Sequence, residues 1–232
     1  MTPTYLLLHG IGLSHRAFIG LEAHLSRHGR VINFDLPGFG STPRPSRRMS
    51  VEDYAAAIRR ELQTRDAGPV VVVGHSMGAQ FAVELARQDP DAVTHVVLVG
   101  PVVDEKKRSL VAQGLVLLRD SALEPPATQL MVVRDYLRCG PRWYFTETGA
   151  MLAYPTHLAI EDVRHPVLIV RGQNDPIADA AWCESLGERT HDGSVVHIAK
   201  NRHNVVHADP AATAAAIVEF VTVARPSERS PR

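Results

Sequence analysis

The residues best suited to chemistry begin with a serine held between two glycines, in the pentapeptide 74–78 (Gly-His-Ser-Met-Gly). A valine-rich run that we predict to be a buried strand precedes it, and a helical pattern follows from Met77 to about Arg87. A sharp turn from strand into helix brings the backbone so close to the new helix that glycine is needed on either side. Such a turn presents the Ser76 hydroxyl at its tip, so we predict that Ser76 is a nucleophile.

A serine hydroxyl becomes a good nucleophile beside a general base, and that base needs a carboxylate to orient it. Asp175 comes just after one predicted strand, and His203 comes just after the next strand, before the closing helix. Both side chains should therefore lie with Ser76 at the carboxyl edge of a parallel sheet. Asp104 and His207 are alternatives for the acid and the base, and the sequence leaves both open.

An oxyanion formed by attack on a carbonyl needs backbone donors close to the serine. The N–H of Met77 belongs to the start of the helix that follows Ser76, so it can point at that oxyanion. The segment 9–12 (His-Gly-Ile-Gly) ends the first predicted strand, and its glycines allow a close approach to a bound acyl group. We predict that the N–H groups of Ile11 and Met77 form an oxyanion hole, in which one donor is worth about 3 kcal/mol.

Alternating strands and helices must position these residues. Six short apolar runs are predicted as strands, at 5–8, 31–34, 69–74, 93–99, 166–170 and 194–198. Helical patterns accompany them at 16–28, 51–64, 77–87 and 210–224. Uniformly apolar strands suit a sheet covered on both faces, and the alternation is typical of α/β folds with right-handed crossovers. We predict a mostly parallel sheet of about six strands with helices on both faces.

The segment 103–160 interrupts this alternation, because it is mostly helical in propensity. An insertion between two strands of an α/β sheet would cover the carboxyl ends of the strands, where ligands bind in such folds. We therefore predict that residues 1–102 and 161–224 form the core and that residues 103–160 form a helical cap. Residues 225–232 have nothing to bury and are expected to be a disordered tail.

Substrate should bind between the sheet edge and this cap. The candidate lining residues are Leu13, Val102, Trp143 and Tyr144, with Phe145 as a further candidate. Few charges are expected around this site, and pockets for small ligands are mostly apolar. A small, mainly apolar substrate is therefore expected.

Composition restricts the class of protein. The 232 residues include 25 basic and 25 acidic side chains, and 45% are hydrophobic. This balance indicates a soluble globular protein and gives no reason to expect nucleic acid or a membrane as a partner. We see no signal peptide, and the two cysteines, Cys139 and Cys183, suit a reduced compartment, so a cytoplasmic location is expected. The expected partner is a small-molecule substrate, and the chain should be a monomer or a homodimer.

The sequence predicts no cofactor and no metal. His203 and His207 have the H-x-x-x-H spacing of a zinc-protease helix, but Asn204 stands where that motif needs Glu. No other set of metal ligands stands out in the sequence.

Together these motifs resemble the α/β-hydrolase superfamily in its cap-bearing serine esterase type. The resemblance extends from Leu6 to about Val223. Besides the segments 9–12 and 74–78, it rests on 35–41 (Asp-Leu-Pro-Gly-Phe-Gly-Ser), on 172–175 (Gly-Gln-Asn-Asp), and on His203 followed by Pro210. The resemblance implies that Ser76 is the nucleophile, Asp175 the acid and His203 the base, and that Ile11 and Met77 supply the oxyanion N–H groups.

Two departures from the family pattern affect these expectations. Arg202 precedes His203 where relatives usually have glycine, which would alter the local turn or place a cation near the site. Many relatives also have one or two antiparallel strands before the first strand found here, where four residues precede Tyr5, so a sheet shortened to about six strands is expected. Serine at position 76 makes epoxide hydrolase and haloalkane dehalogenase activities unlikely, because members of this fold with those activities use Asp.

The sequence thus predicts hydrolysis of a carboxylic ester through an acyl-Ser76 intermediate. The same triad could instead serve a thioesterase, a lactonase, a carbon–carbon bond hydrolase or a perhydrolase, and the motifs do not separate these reactions. A less favoured alternative is a ligand-binding protein that keeps the triad without catalysis, because a fold alone does not determine function.

Overall fold

The computed structural model describes residues 2–103 and 123–223. Its six strands are β1 (Thr4–Leu8), β2 (Arg30–Asn33), β3 (Val70–His75), β4 (Val93–Val99), β5 (Val167–Gly172) and β6 (Gly193–Ile198). They form one sheet in the order β2-β1-β3-β4-β5-β6, and every neighbouring pair is parallel. The predicted strand number and the mostly parallel arrangement are confirmed.

The centre of the sheet explains why its strands are so uniformly apolar. Every residue of β3 is buried, and its side chains alternate between two apolar clusters on opposite faces of the sheet. A strand covered on both faces has no position at which a polar side chain could reach water. The chain runs from β1 outward to β2 and then returns to the other side of β1 with β3. The carboxyl ends of β1 and β3 therefore meet at the topological switch point, where ligands bind in open α/β sheets.

Helices cover both faces of the sheet. Those in the described residues are α1 (Ile19–Leu25), α2 (Val51–Thr64), α3 (Met77–Gln88), α4 (Pro126–Cys139), α5 (Pro141–Ala153), α6 (Thr156–Ala159), α7 (Ala180–Glu188), α8 (Val205–Ala208) and α9 (Pro210–Val223). Helix α2 begins as predicted, because Ser50 and Asp53 form a reciprocal capping box. No helix of the described residues is both long and apolar enough to cross a membrane.

The two faces have separate cores. Helices α2 and α3 pack together on one face, where the rings of Tyr54 and Phe81 lie 4.6 Å apart. Helices α1 and α9 pack together on the other face, which buries Leu21 and Ile217. Each such side chain contributes roughly 1.5–3 kcal/mol when it is fully buried. The sheet is thus a rigid middle layer, and the ends of its strands are well-fixed supports for a site.

The structure differs from the predicted helices at three places. The predicted helix 16–28 is a 3-10 turn, His15–Phe18, followed by the shorter α1. The predicted helices include none between the strands at 166–170 and 194–198, where α7 begins at Ala180 and is capped by Asp179. The sequence pattern also gives no sign of α8, which follows His203 directly.

Helices α4, α5 and α6 lie between β4 and β5 in the chain and pack over loops at the carboxyl edge of the sheet. Leu13, from the loop after β1, is buried against Val132 of α4. The ring of Trp143 in α5 lies so close to Gly38 that a side chain at that glycine would collide with it. This part of the predicted cap is therefore helical and contacts the core.

The predicted division into a core, a cap at 103–160 and a tail stays a prediction. Residues 104–122 of the predicted cap lie outside the described residues, and so do residues 224–232, which include the predicted tail. We refer below to the described part of this segment, residues 123–160, as the cap.

Candidate active site

Ser76 occupies a strained turn between β3 and α3. Its backbone has φ 56° and ψ −120°, a region that residues other than glycine rarely adopt. A Cβ at Gly74 would overlap the carbonyl of Gly78, and a Cβ at Gly78 would overlap the carbonyl of Leu8. The Ser76 N–H donates to the Val99 carbonyl at 2.9 Å, which holds the turn against β4. The two glycines are therefore required for the reason inferred from the sequence, and the strain is concentrated at the serine.

Ser76, His203 and Asp175 form one chain of hydrogen bonds. The Ser76 Oγ lies 3.1 Å from Nε2 of His203, and Nδ1 of His203 lies 2.9 Å from Oδ2 of Asp175. With the ring proton on Nδ1 donated to the carboxylate, Nε2 is left to accept the serine proton. Both distances are within the reach needed for proton transfer. The structure thus brings together the three residues that the sequence proposes as nucleophile, base and acid.

Asp175 is built to remain ionised. Its Oδ1 accepts hydrogen bonds from the N–H groups of Ile177 and Ala178 at 2.8 and 3.0 Å. Burial raises the pKa of Asp175, but the nearby His203 and the two backbone donors more than offset this, so the pKa lies below its ordinary value. Arg171 fixes the same loop by donating to the Asp175 carbonyl at 3.0 Å. A carboxylate that keeps its charge can stabilise a protonated His203.

His75 is buried in the scaffold beside the nucleophile and supports the base. Its ring is fully buried, and its Nε2 donates to the carbonyl of His203 at 3.0 Å. Burial lowers the pKa of His75 to about 3, so the ring is neutral at neutral pH. His75 therefore fixes the backbone that carries His203. Sequence reasoning missed this role because the two residues are 128 positions apart.

Gly100, at the end of β4, is a second supporting residue that the sequence reasoning missed. Its φ is 55°, and a Cβ there would lie 3.2 Å from the ring of His203 and 3.3 Å from Oδ2 of Asp175. Both the backbone conformation and the lack of space require glycine. The available sequence signal was the Gly-Pro pair that ends the strand.

The end of β1 lies directly beside the nucleophile. A Cβ at Gly10 would be 2.9 Å from the Ser76 Cβ. The buried ring of His9 holds this segment, since its Nδ1 donates to the Gly10 carbonyl at 3.0 Å while its Nε2 accepts a backbone N–H from the loop after β2. Ile11 and Met77, the predicted oxyanion donors, are buried and directly follow the two segments that meet here.

The predicted lining residues lie at the junction of core and cap, with one exception. Leu13, Val102 and Trp143 are buried, and Tyr144 is half-buried against the same apolar cluster as Trp143. Phe145 is 69% exposed, so we do not retain it as a lining residue. The four remaining residues are mainly apolar, and their role in binding substrate stays a prediction.

The alternatives left open by the sequence have less support. His207 lies in α8, where its Nδ1 is 2.9 Å from the Thr128 hydroxyl of α4, whereas His203 meets the serine. Asp104 lies outside the described residues, but Asp175 already occupies the position beside the base. Within residues 2–103 and 123–223, no three His, Cys, Asp or Glu side chains come together as a candidate metal site.

Comparison with known proteins finds relatives that include a hydrolase and an esterase. An uncharacterized Mycobacterium bovis protein is 38% identical over 97 residues, which are 42% of this chain but 28% of that protein. A 2-(acetamidomethylene)succinate hydrolase from Mesorhizobium japonicum is 28% identical over 244 residues, covering 94% of this chain and 88% of the relative. A pimeloyl-acyl-carrier protein methyl ester esterase from Aromatoleum aromaticum is 29% identical over 222 residues, covering 82% and 86%.

Solved structures and a family profile agree on the fold. The enol-lactonase from Burkholderia xenovorans LB400 superposes with a TM-score of 0.83 at 19% identity, covering 96% of this chain and 92% of that one. At that identity the likeness shows the fold alone. The profile of the alpha/beta hydrolase family matches residues 5–216, from β1 into α9. The chain belongs to the alpha/beta hydrolase family.

Proposed function

We propose that this protein is a serine hydrolase that cleaves a carboxylic ester of a small, mainly apolar substrate through an acyl-serine intermediate. The observation that carries the proposal is the hydrogen-bonded chain from the Ser76 hydroxyl through His203 to Asp175, at 3.1 and 2.9 Å. A serine–histidine contact alone could be ordinary packing. Here a buried carboxylate orients the base and the serine occupies a strained turn, two features that packing does not require.

In the first half of the reaction the Ser76 Oγ attacks the ester carbonyl while His203 Nε2 takes its proton. The carbonyl oxygen becomes an oxyanion, which the N–H groups of Ile11 and Met77 stabilise. Asp175 stabilises the imidazolium that forms on His203. The ester C–O bond then breaks, and His203 returns the proton to the departing alcohol, leaving an acyl group on Ser76.

In the second half a water molecule replaces the alcohol. His203 takes a proton from the water as its oxygen attacks the acyl carbonyl, and the same two N–H groups hold the second oxyanion. Collapse of this intermediate breaks the bond to Ser76, whose oxygen recovers the proton from His203. The products are a carboxylic acid and the free enzyme.

One observation supports an ester as the bond attacked, and a second supports an apolar substrate. The relative from Aromatoleum aromaticum, similar over 82% of this chain, is named for a methyl ester. The buried lining residues Leu13, Val102 and Trp143 favour an apolar acyl or alcohol group over a charged one. A thioesterase, a lactonase, a carbon–carbon bond hydrolase or a perhydrolase would use the same triad, so a substrate panel has to include these bonds.

The experiment is turnover of p-nitrophenyl acetate and butyrate by the wild type and by Ser76→Ala. We expect the substitution to lower kcat at least about a thousandfold, because it removes the nucleophile. Ser26→Ala is the matched control, since Ser26 is an exposed serine at the end of α1 and should turn over like the wild type.

A fluorophosphonate probe checks the nucleophile without reference to the substrate. We expect the label on the peptide that contains Ser76 in the wild type and in Ser26→Ala, and no label in Ser76→Ala. Undiminished turnover by Ser76→Ala would overturn the proposal. Labelling of Ser76 with no hydrolysis across the panel of ester, thioester, lactone and carbon–carbon substrates would instead support the ligand-binding alternative.

A further inference from the structure

The cap contributes a buried carboxylate to the segment that carries the base. Glu124 lies just before α4 and is 3% exposed. Its Oε1 accepts a hydrogen bond from the N–H of Asn204 at 2.8 Å and a second from the Asn204 side-chain amide at 3.2 Å. Asn204 is the residue directly after His203. Glu124 thus connects the cap to the loop that carries His203, 80 positions further along the sequence.

One peptide group is the centre of this arrangement. The N–H of Asn204 and the carbonyl of His203 belong to the same planar unit. His75 of the core donates to that carbonyl at 3.0 Å, and Glu124 of the cap accepts from that N–H at 2.8 Å. The peptide attached to the Cα of His203 is therefore held on one side by the core and on the other by the cap.

A second contact joins the same two parts of the molecule. The Thr128 hydroxyl of α4 lies 2.9 Å from Nδ1 of His207 in α8. Helix α8 directly follows the peptide held by Glu124. Glu124 and Thr128 of the cap thus contact Asn204 and His207, which lie close together in the chain after His203. A shift of the cap would disturb both contacts.

We propose that Glu124 is a positioning residue for His203, which makes the alignment of the base depend on a seated cap. This inference rests on the proposed function, because it takes His203 as the base. A buried carboxylate needs hydrogen-bond donors, and a charge-assisted bond to a backbone N–H is stronger than a neutral one. With the cap displaced, the N–H of Asn204 loses this acceptor, and His203 loses a restraint on its backbone.

The test compares Glu124→Ala, Glu124→Asp and Glu124→Gln on p-nitrophenyl butyrate. Ala removes the acceptor, Asp keeps the charge but shortens the side chain, and Gln keeps an oxygen at the same reach. We expect kcat to fall roughly 10- to 100-fold in Ala and Asp, because misplacement of a catalytic group by about 1 Å costs this much. KM should change less than about threefold, and Gln should restore most of kcat. Arg138→Ala, an exposed residue of α4, should behave as the wild type.

Hydrogen exchange supplies a readout that does not need turnover. We expect the Asn204 amide to exchange faster in Glu124→Ala than in the wild type, and to regain protection in Glu124→Gln. Unchanged protection would overturn the inference even if no ester were hydrolysed. Wild-type kcat in a folded Glu124→Ala, or a kcat in Glu124→Gln as low as in Glu124→Ala, would also overturn it. Failure of the proposed function shows separately, as wild-type turnover that survives Ser76→Ala.

Discussion

Two buried carboxylates, Asp175 at the edge of the sheet and Glu147 in α5 of the cap, have contrasting surroundings. Asp175 has both oxygens bonded, one to His203 and one to two backbone N–H groups. Glu147 is 1% exposed, and neither of its oxygens has a hydrogen-bond partner. The nearby Tyr54 hydroxyl donates to the Pro37 carbonyl instead. Burial raises the pKa of Glu147 to about 7, whereas the pKa of Asp175 is lowered.

The contrast shows two uses of a buried acid. At the sheet edge, fixed donors keep the charge on Asp175, which the reaction needs when His203 becomes protonated. In the cap, burial favours the neutral acid of Glu147 and outweighs the opposing influence of the nearby Tyr54 hydroxyl and Arg48. Asp175 therefore keeps its charge at the carboxyl edge of the sheet. The packing of the cap around Glu147, in contrast, should depend on pH.

The largest effect we expect is on catalysis, from Asp175→Asn. An amide at this position cannot hold His203 in the required tautomer or stabilise its charge, so kcat should fall roughly 10³- to 10⁴-fold. Turnover of p-nitrophenyl butyrate measures it, with Asp192→Asn, an exposed aspartate, as the control. A loss of less than about tenfold would mean that a different carboxylate serves the base.

The second effect is on stability, from Glu147→Gln. The pKa of Glu147 is raised from 4.5 to about 7 in the folded protein, so its stabilising contribution is complete below about pH 4.5 and is lost as pH rises through 7. We expect this loss to reach about 3 kcal/mol in the wild type, at 1.4 kcal/mol for each pKa unit, and to be absent in the variant.

Urea unfolding of both proteins between pH 4.5 and 8 measures the effect of Glu147 as a difference between two curves. Glu52→Gln, which changes an exposed glutamate in α2, is the control and should follow the wild type. Parallel curves for the wild type and Glu147→Gln would show that the carboxyl is ionised throughout, and the contrast with Asp175 would disappear.

A smaller effect is expected at the core edge from Gly100→Ala. The added Cβ would press on the ring of His203 at 3.2 Å, and we expect kcat to fall about tenfold. Gly68→Ala is the matched control, because Gly68 also has a positive φ, 63°, but nothing lies within 4 Å of its Cβ position. Equal kcat values for the two variants would show that contact between the added Cβ and His203 does not impair catalysis.

The smallest effect is expected in the cap, from Phe145→Ala. Because Phe145 is 69% exposed, its removal should change the free energy of unfolding by less than about 0.5 kcal/mol. We also expect the KM for p-nitrophenyl butyrate to stay within about twofold of the wild type. A large increase in KM would return Phe145 to the set of lining residues.

The sequence by itself determined the features that depend on neighbouring residues. The glycines around Ser76 and the uniformly apolar strands follow from local sterics and from burial on both faces, so they can be read without a structure. The sharp turn at the serine and the six parallel strands were both predictable for this reason. Position at a strand's carboxyl end also indicated Asp175 and His203, since parallel strands share an edge.

The tertiary structure alone decided which groups meet at that edge. The choice of His203 over His207 depends on contacts between residues more than 100 positions apart, and so does the support from His75. Tertiary packing also decided the role of Glu124, which meets Asn204 across 80 positions, and the surroundings of Glu147, which depend on how the cap packs. Local preferences act over a few residues, whereas these hydrogen bonds exist only after the strands and the cap have come together.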